Sequence, residues 1–328
     1  MSPPGADPFA HRVQYAAFRG ARWLLGALPR SIALGLGDVL GWIMGVVLRI
    51  RRRVVDDNLL QAFPEEDARW RGRVARSCYR HLVRESIATF LMAGKSREEV
   101  LALASMDDDE LSSVDGDLEE GKGLVVMTGH LGNWELGGAW TAARGVPIEA
   151  VVQVQRNRRF DEDLREVRER VGMKTIPKQD APRGVLKALR AGHLVALVAD
   201  QNLSRGGIFV EFFGRLASTA KGPATFALRT GAPLWIGAAL RVRGQSTPYR
   251  LRFQRIDVTP TGDTEADIRR MTEAYTQVLE SWIRSHPEQY FSDFLSIIED
   301  QDKGPVIDLR TSRDVSPQPR RVVPGQGL

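Results

Sequence analysis

From Gly123 onward the chain alternates short apolar runs with polar stretches of helical period, a pattern that points to βαβ units around a largely parallel sheet. Strands are expected at residues 124–128, 146–154, 194–199, 233–241 and 249–256. Helices are expected near 161–171, 182–191, 219–230 and 265–285, between or after those strands. Upstream the pattern is helical. Pro64, Glu65 and Glu66 open a helix that runs to Gly94, and Ser96 with Glu99 forms a capping-box signature for a second helix over 96–104. The acidic stretch 107–120 is expected to be a loop, and no internal repeat is present. The fold class is therefore α/β, with an N-terminal helical segment followed by a mostly parallel central sheet flanked by helices. Three regions follow: N-terminal membrane-associating helices (1–63), an α/β domain with a helical entry (64–300), and a tail (301–328) rich in Arg, Pro, Ser and Gly that is expected to be flexible.

A chain of 328 residues, 43% hydrophobic and 27% charged, can bury a large core and is neither disordered nor a polytopic membrane protein. Its one cysteine, Cys78, excludes an internal disulfide framework and a cysteine-based zinc cluster. Formal net charge is +5 and the isoelectric point about 9.5, which favours anionic partners. Position says more than the total. Residues 31–48 are an apolar run broken only by Asp38 and followed at once by Arg49, Arg51, Arg52 and Arg53. A spanning helix needs roughly 20 apolar residues, so spanning is marginal, while arginines beside an apolar helix suit anionic headgroups on the cytoplasmic side. Gly37, Gly41 and Gly45 leave one helical face nearly bare, open to close approach by another helix. The competing reading is a buried core helix.

Several catalytic signatures are missing. Residues 116–123 resemble a phosphate-binding loop, but no Ser or Thr follows Lys122 and the glycines precede a strand. Neither a nucleophile elbow nor a zinc-binding helix motif occurs, and His81 on its amphipathic helix reads as structural. What remains is Thr128-Gly129-His130-Leu131-Gly132-Asn133-Trp134-Glu135, just beyond the carboxyl end of the first expected strand, where open α/β sheets put ligands. The glycines allow a tight turn, and Glu135 falls early in the following helix, able to point back at His130. Such a pair suits deprotonation of a hydroxyl attacking an activated acyl group, His130 acting as general base and Glu135 holding its imidazole. A His–Glu hydrogen bond that merely braces a loop is the alternative.

At these residues the chain resembles the bacterial lipid A biosynthesis acyltransferases of the lauroyl and myristoyl type, within the lysophospholipid acyltransferase superfamily, whose hallmark is H-x4-D/E. The similarity runs from about Leu28 to Tyr290. It takes in Arg51-Arg52-Arg53 with Asn58-Leu59, Ala62-Phe63-Pro64, residues 129–136, Arg156-Asn157, Asp200-Gln201, Phe212-Phe213-Gly214, Ala217, Thr219, Gly222-Pro223 and Pro287-Glu288-Gln289-Tyr290. The resemblance implies a glycerolipid acyltransferase-like fold. It also implies transfer of a fatty acyl chain from an acyl carrier protein or coenzyme A thioester to a hydroxyl of a membrane glycolipid such as a lipid A precursor. The expected place is the cytoplasmic face of the bacterial inner membrane, held peripherally or by one N-terminal anchor. The implied partners are acyl carrier protein, the glycolipid acceptor and an anionic membrane surface; neither metal, cofactor nor nucleic acid is expected.

Under that reading Phe212 and Phe213 could line a slot for the acyl chain or simply belong to the core. Thr219 can cap the helix whose first turn holds Pro223, with Lys221 beside its positive end. Arg156 and Asn157 suit an anionic headgroup, Arg241 could do so or be a solvated strand end, and Asn133 and Gln201 join the candidate substrate contacts. The family commonly has an Arg shortly before Arg156-Asn157, where this chain has Gln153, and continues after Tyr290 with Trp, His and Arg, where Phe291-Ser292-Asp293-Phe294 stands here. Acceptors other than a doubly phosphorylated lipid A, another glycolipid or an aminolipid, therefore stay open. A hydrolase using the same pair on water, and a non-catalytic lipid-binding protein, are the rival functions.

Overall fold

In a computed structural model the described residues are 9–92, 94–155, 157–203 and 206–290; Arg156, residues 291–294 and the expected tail lie outside them. The N-terminal part of the described chain is helical before the sheet begins. Helices α1 (Phe9–Gly26), α2 (Arg30–Trp42), α3 (Arg52–Ala62), α4 (Ala68–Met92) and α5 (Arg97–Leu101) lead to a short strand β1 (Ala104–Ser105). Ser96 and Glu99 close the expected capping box on α5. A helix was not expected at α6 (Asp108–Glu119), where composition suggested an acidic loop. The acids sit where a helix favours them, with Asp108, Asp109 and Glu110 in the first turn against the positive end of the dipole. Leu111, Val114 and Leu118 then form an inward stripe at helical spacing.

Beyond it come β2 (Leu124–Gly132), α7 (Trp134–Ala143), β3 (Ile148–Val152), α8 (Arg158–Arg170), β4 (Met173–Pro177), α9 (Ala181–Arg190) and β5 (Leu194–Val198). A hairpin of β6 (Ile208–Phe212) and β7 (Arg215–Thr219) precedes α10 (Gly222–Thr230), β8 (Leu234–Arg241), β9 (Tyr249–Arg255) and α11 (Thr264–Ser285). The main sheet has the order β1-β9-β8-β2-β5-β3-β4, parallel throughout except that β9 runs antiparallel to β8. The α/β expectation, mostly parallel and flanked by helices after a helical entry, is what the chain forms. β2 lies at its centre. Val125 and Met127 face one core with α9, α10 and α11, while Leu124 and Val126 face the other with Val114 of α6. Val55, Leu59, Ala62 and Phe63 join the first of these cores, so α3 is packed into the body of the molecule.

Helix α2 continues through a π-helical turn to Val47, and residues Arg30–Val47 are long and apolar enough to cross a membrane. Its bare face is used. A Cβ at Gly41 would come within 2.4 Å of the Tyr79 carbonyl oxygen, and one at Gly45 within 2.3 Å of the Tyr79 ring, so the glycines let α2 lie directly on α4. Asp38, the one acid in the run, meets Arg84 of α4 at 2.5 Å. The opposite face is open and apolar: Ile32, Val39 and Trp42 are exposed, as are Trp23 and Leu24 of α1.

Candidate active site

The site forms at the carboxyl ends of β2 and β5, which pair in register from Leu124↔Leu194 to Thr128↔Val198. Two residues past the last pair stand His130 on one strand and Asp200 beyond the other, side by side. The buried Asp200 carboxylate holds His130 twice: its Oδ2 accepts the His130 backbone N–H at 2.6 Å, and its Oδ1 lies 2.9 Å from ring Nδ1. An ionised carboxylate only accepts hydrogen bonds, so with the carboxylate ionised Nδ1 is the ring nitrogen that donates to Asp200, and Nε2 lies on the other side of the ring. The ring is 19% exposed, and the edge of Trp134 packs against it at 4.6 Å. Gly129 makes this approach possible, since a Cβ there would sit 2.9 Å from Asp200 Oδ2. Gly132, with φ +69°, turns the chain into α7 against the Ala239 carbonyl, which a Cβ would strike.

The carboxylate on the imidazole is thus Asp200, and the expected partner Glu135 faces elsewhere in its bonding. Its oxygens accept from Arg168 of α8 at 2.5 and 3.0 Å in a fork, both side chains being mostly buried. Burial works against the Arg168 charge, but the hydrogen bond and attraction to Glu135 outweigh it and hold the guanidinium protonated above its ordinary range. The physical reason is geometric. Glu135 is carried round the first turn of α7 toward α8, whereas strand register alone sets Asp200 beside His130. Sequence reasoning passed over Asp200 because its partner is 70 residues away; the available signal was an acid just past the end of the apolar run 194–199, at the same edge of the sheet as His130.

The expected substrate contacts divide. Asn133 is buried and caps α7, its Oδ1 accepting from Leu136 N–H at 3.0 Å and its Nδ2 donating to Glu85 at 2.9 Å, so its side chain serves the scaffold. Phe212 is core, and Phe213 packs on Phe63 with the Arg284 guanidinium 4.7 Å over its ring, so the core alternative describes this pair. Thr219 ends β7 instead of capping α10; the capping position is Lys221, exposed, with no side-chain cap. Asn157 donates to the His11 carbonyl at 3.1 Å, tying α8 to α1. Arg241, mostly buried, lies 3.6 Å from the buried Glu85 carboxylate. Gln201 is exposed, next to Asp200 in the chain.

Behind the turn is a buried polar cluster. Glu85 of α4 accepts from Asn133 and, at 2.5 Å, from the Tyr249 hydroxyl, while His81 Nε2 lies 3.2 Å from the Gly132 carbonyl. Burial lowers the His81 pKa, against an opposing pull from Glu85, and burial together with Glu85 raises that of Tyr249. Gln289 completes the frame by bonding both the N–H and the carbonyl of Arg241, and Tyr290 bridges to Leu131, so the Pro-Glu-Gln-Tyr block braces the two strand ends next to the histidine.

A family profile described as bacterial lipid A biosynthesis acyltransferase matches residues 7–292. The chain is 25% identical over 248 residues to a phosphatidylinositol mannoside acyltransferase of Mycolicibacterium smegmatis, covering 72% of this chain and 77% of that protein. It is 27% identical over 184 residues to the protein of that name in Mycobacterium tuberculosis, covering 55% of this chain and about half of that one, 56%. A lipid A biosynthesis palmitoleoyltransferase of Escherichia coli is 25% identical over 279 residues, 83% of this chain and 86% of the other.

Proposed function

Because this chain belongs to the bacterial lipid A biosynthesis acyltransferase family, and is thus an enzyme that transfers acyl groups to a glycolipid, we propose that His130 is the general base that activates the acceptor hydroxyl. The donor is an acyl thioester of acyl carrier protein or coenzyme A. Nε2 of His130 takes the hydroxyl proton as the oxygen attacks the thioester carbonyl. The imidazolium then returns that proton to the departing thiolate, leaving an ester and a free thiol. Asp200 fixes the tautomer and stabilises the imidazolium; Glu135 and Arg168 fasten α7 to α8 beside the ring. The single observation that carries this reading is the double hold of Asp200 on His130, which leaves Nε2 as the basic atom at the mouth of the sheet.

The acceptor is a sugar hydroxyl of a membrane glycolipid other than a doubly phosphorylated lipid A. Gln153 in place of a cation, and relatives named for phosphatidylinositol mannoside, support that choice. The protein sits on the cytoplasmic face of the bacterial inner membrane with α2 in the plane of the bilayer. Fastened to α4 by its glycines and Asp38, α2 turns Ile32, Val39 and Trp42 outward, with Arg49–Arg53 beside them for anionic headgroups.

Purified protein incubated with palmitoyl-carrier protein or palmitoyl-coenzyme A and phosphatidylinositol mannoside or lipid A precursor, followed by mass spectrometry of the lipids, tests this. Acyl chains gained by the mannoside lipid support the reading. Gain by the lipid A precursor alone overturns the acceptor, and free fatty acid without an acylated lipid identifies a hydrolase.

A further inference from the structure

Helix α9 turns an uncompensated basic face outward. Arg183, Lys187 and Arg190 recur at i, i+4 and i+7, so they share one stripe, and Lys178 stands in the turn just before the helix. All four are exposed, and none has a side-chain hydrogen bond or ion pair among the described residues. Helix α8 is built otherwise. There Arg158, Arg165 and Arg170 each meet a glutamate four residues away on their own helix, and Arg168 meets Glu135. Helix α10 packs beside α9 in the shared core and adds Lys221 and Arg229, again exposed and, among the described residues, unpaired. Against these six cations, residues 178–190 and 221–230 set one acid, Asp180, so the two segments carry as much net charge as the whole chain. Like charges at i, i+4 repel one another, and an anionic partner relieves that repulsion.

We propose that this face docks an acidic protein, the carrier that brings the acyl chain as a thioester. Placement supports it. Lys178 directly follows β4, at the carboxyl edge of the sheet where His130 stands, three strand spacings or roughly 14 Å across from β2. From there the stripe runs down a helix roughly 15 Å long, a match for one acidic helix of a partner. A pantetheine arm anchored on the carrier can cross the interval to the imidazole. A bilayer suits the face less well, because the described residues from 155 to 197 expose no large apolar side chain, whereas α1 and α2 expose many. The comparable stripe of Arg69, Arg73, Arg76 and Arg80 on α4 adjoins α2, whose Gly41 rests on Arg80, and goes with the apolar face instead. The inference rests on the reading of the chain as an acyltransferase with a thioester donor.

Bacterial acyl carrier protein charged with palmitate, labelled for fluorescence anisotropy, is the probe. It should bind the full chain with an affinity that falls as salt rises. Arg183→Glu combined with Lys187→Glu should weaken that binding about tenfold or more with the unfolding midpoint unchanged, while Arg73→Glu combined with Arg76→Glu should leave it within about twofold. No binding by the parent, or equal loss from the two pairs, overturns the inference. In turnover, the α9 pair should raise KM for the palmitoyl carrier protein about tenfold and leave palmitoyl-coenzyme A within about twofold. Equal loss with both donors overturns it, as does an α9 pair that loses anionic vesicles in sedimentation but keeps the carrier protein. Binding through α9 without turnover of either donor leaves the docking face standing and removes the acyl-transfer reading.

Discussion

Asp200 bonds the His130 ring while Glu135 bonds Arg168, and their replacements should fail in different ways. Asp200→Asn keeps the shape but lets Nδ1 lose its anionic acceptor, so kcat should fall by roughly 10²–10⁴-fold while the unfolding midpoint moves little, read by steady-state kinetics and thermal denaturation side by side. Glu135→Ala instead strands a mostly buried guanidinium and should cost about 3 kcal/mol of stability in chemical denaturation. The double replacement with Arg168→Ala should cost little more than either change alone, because both report one interaction. His81 gives a pH signature. It is buried among Glu85, Arg241 and the Gly132 carbonyl, and its folded pKa lies below the ordinary histidine value of about 6.5, so the unfolded chain binds more protons just below that pH. The contribution is full above about pH 6.5 and is lost as pH falls toward the folded pKa; His81→Gln should flatten that slope when urea midpoints are compared at about pH 7.5 and 5.5. That His130 stands in a glycine-flanked turn at a strand end was readable from the sequence. That Asp200 bonds its ring was not, because the contact depends on strand register across the sheet and not on a local spacing of five residues.

Helix α2 shows why an apolar run with regularly spaced glycines has two readings until a partner is known. The glycines at 37, 41 and 45 meet the backbone and side chains of α4, one face is covered, and the other remains apolar and exposed. Gly41→Val would drive side-chain atoms into the Tyr79 carbonyl and the Arg80 backbone, so it should destabilise the α2–α4 contact by about 1–3 kcal/mol and expose residues 26–50 to limited proteolysis, seen as an early cleavage absent from the parent. Strands with continuous apolar runs, β2, β5 and β8, were legible from composition alone. The hairpin β6–β7 was not, because its residues are polar or exposed on one side and, among the described residues, its strands pair with each other alone. Nor was α6, whose acidic residues imitate a loop unless their concentration in the first turn is weighed.

Across the whole molecule, α4 joins two features: it carries α2, whose outer face is apolar, and through His81 and Glu85 it bonds Gly132 and Asn133 in the turn after His130. Binding to vesicles containing anionic lipid should therefore be measurable by sedimentation and weaken as salt rises, and Val39→Glu should reduce it without changing the fold, since that side chain is exposed. The division into helical entry, parallel sheet and flanking helices was legible because hydrophobic period records it directly. How the entry packs was not, for α3 and α4 contribute to the same core as α10 and α11, far along the chain. Everything functional in this account depends on one imidazole. The most direct measurement is the turnover of His130→Ala, shown to be folded by its circular dichroism and unfolding midpoint, with a thioester donor and a glycolipid acceptor: a loss of about a thousandfold or more is the predicted result, and turnover equal to that of the parent would contradict it.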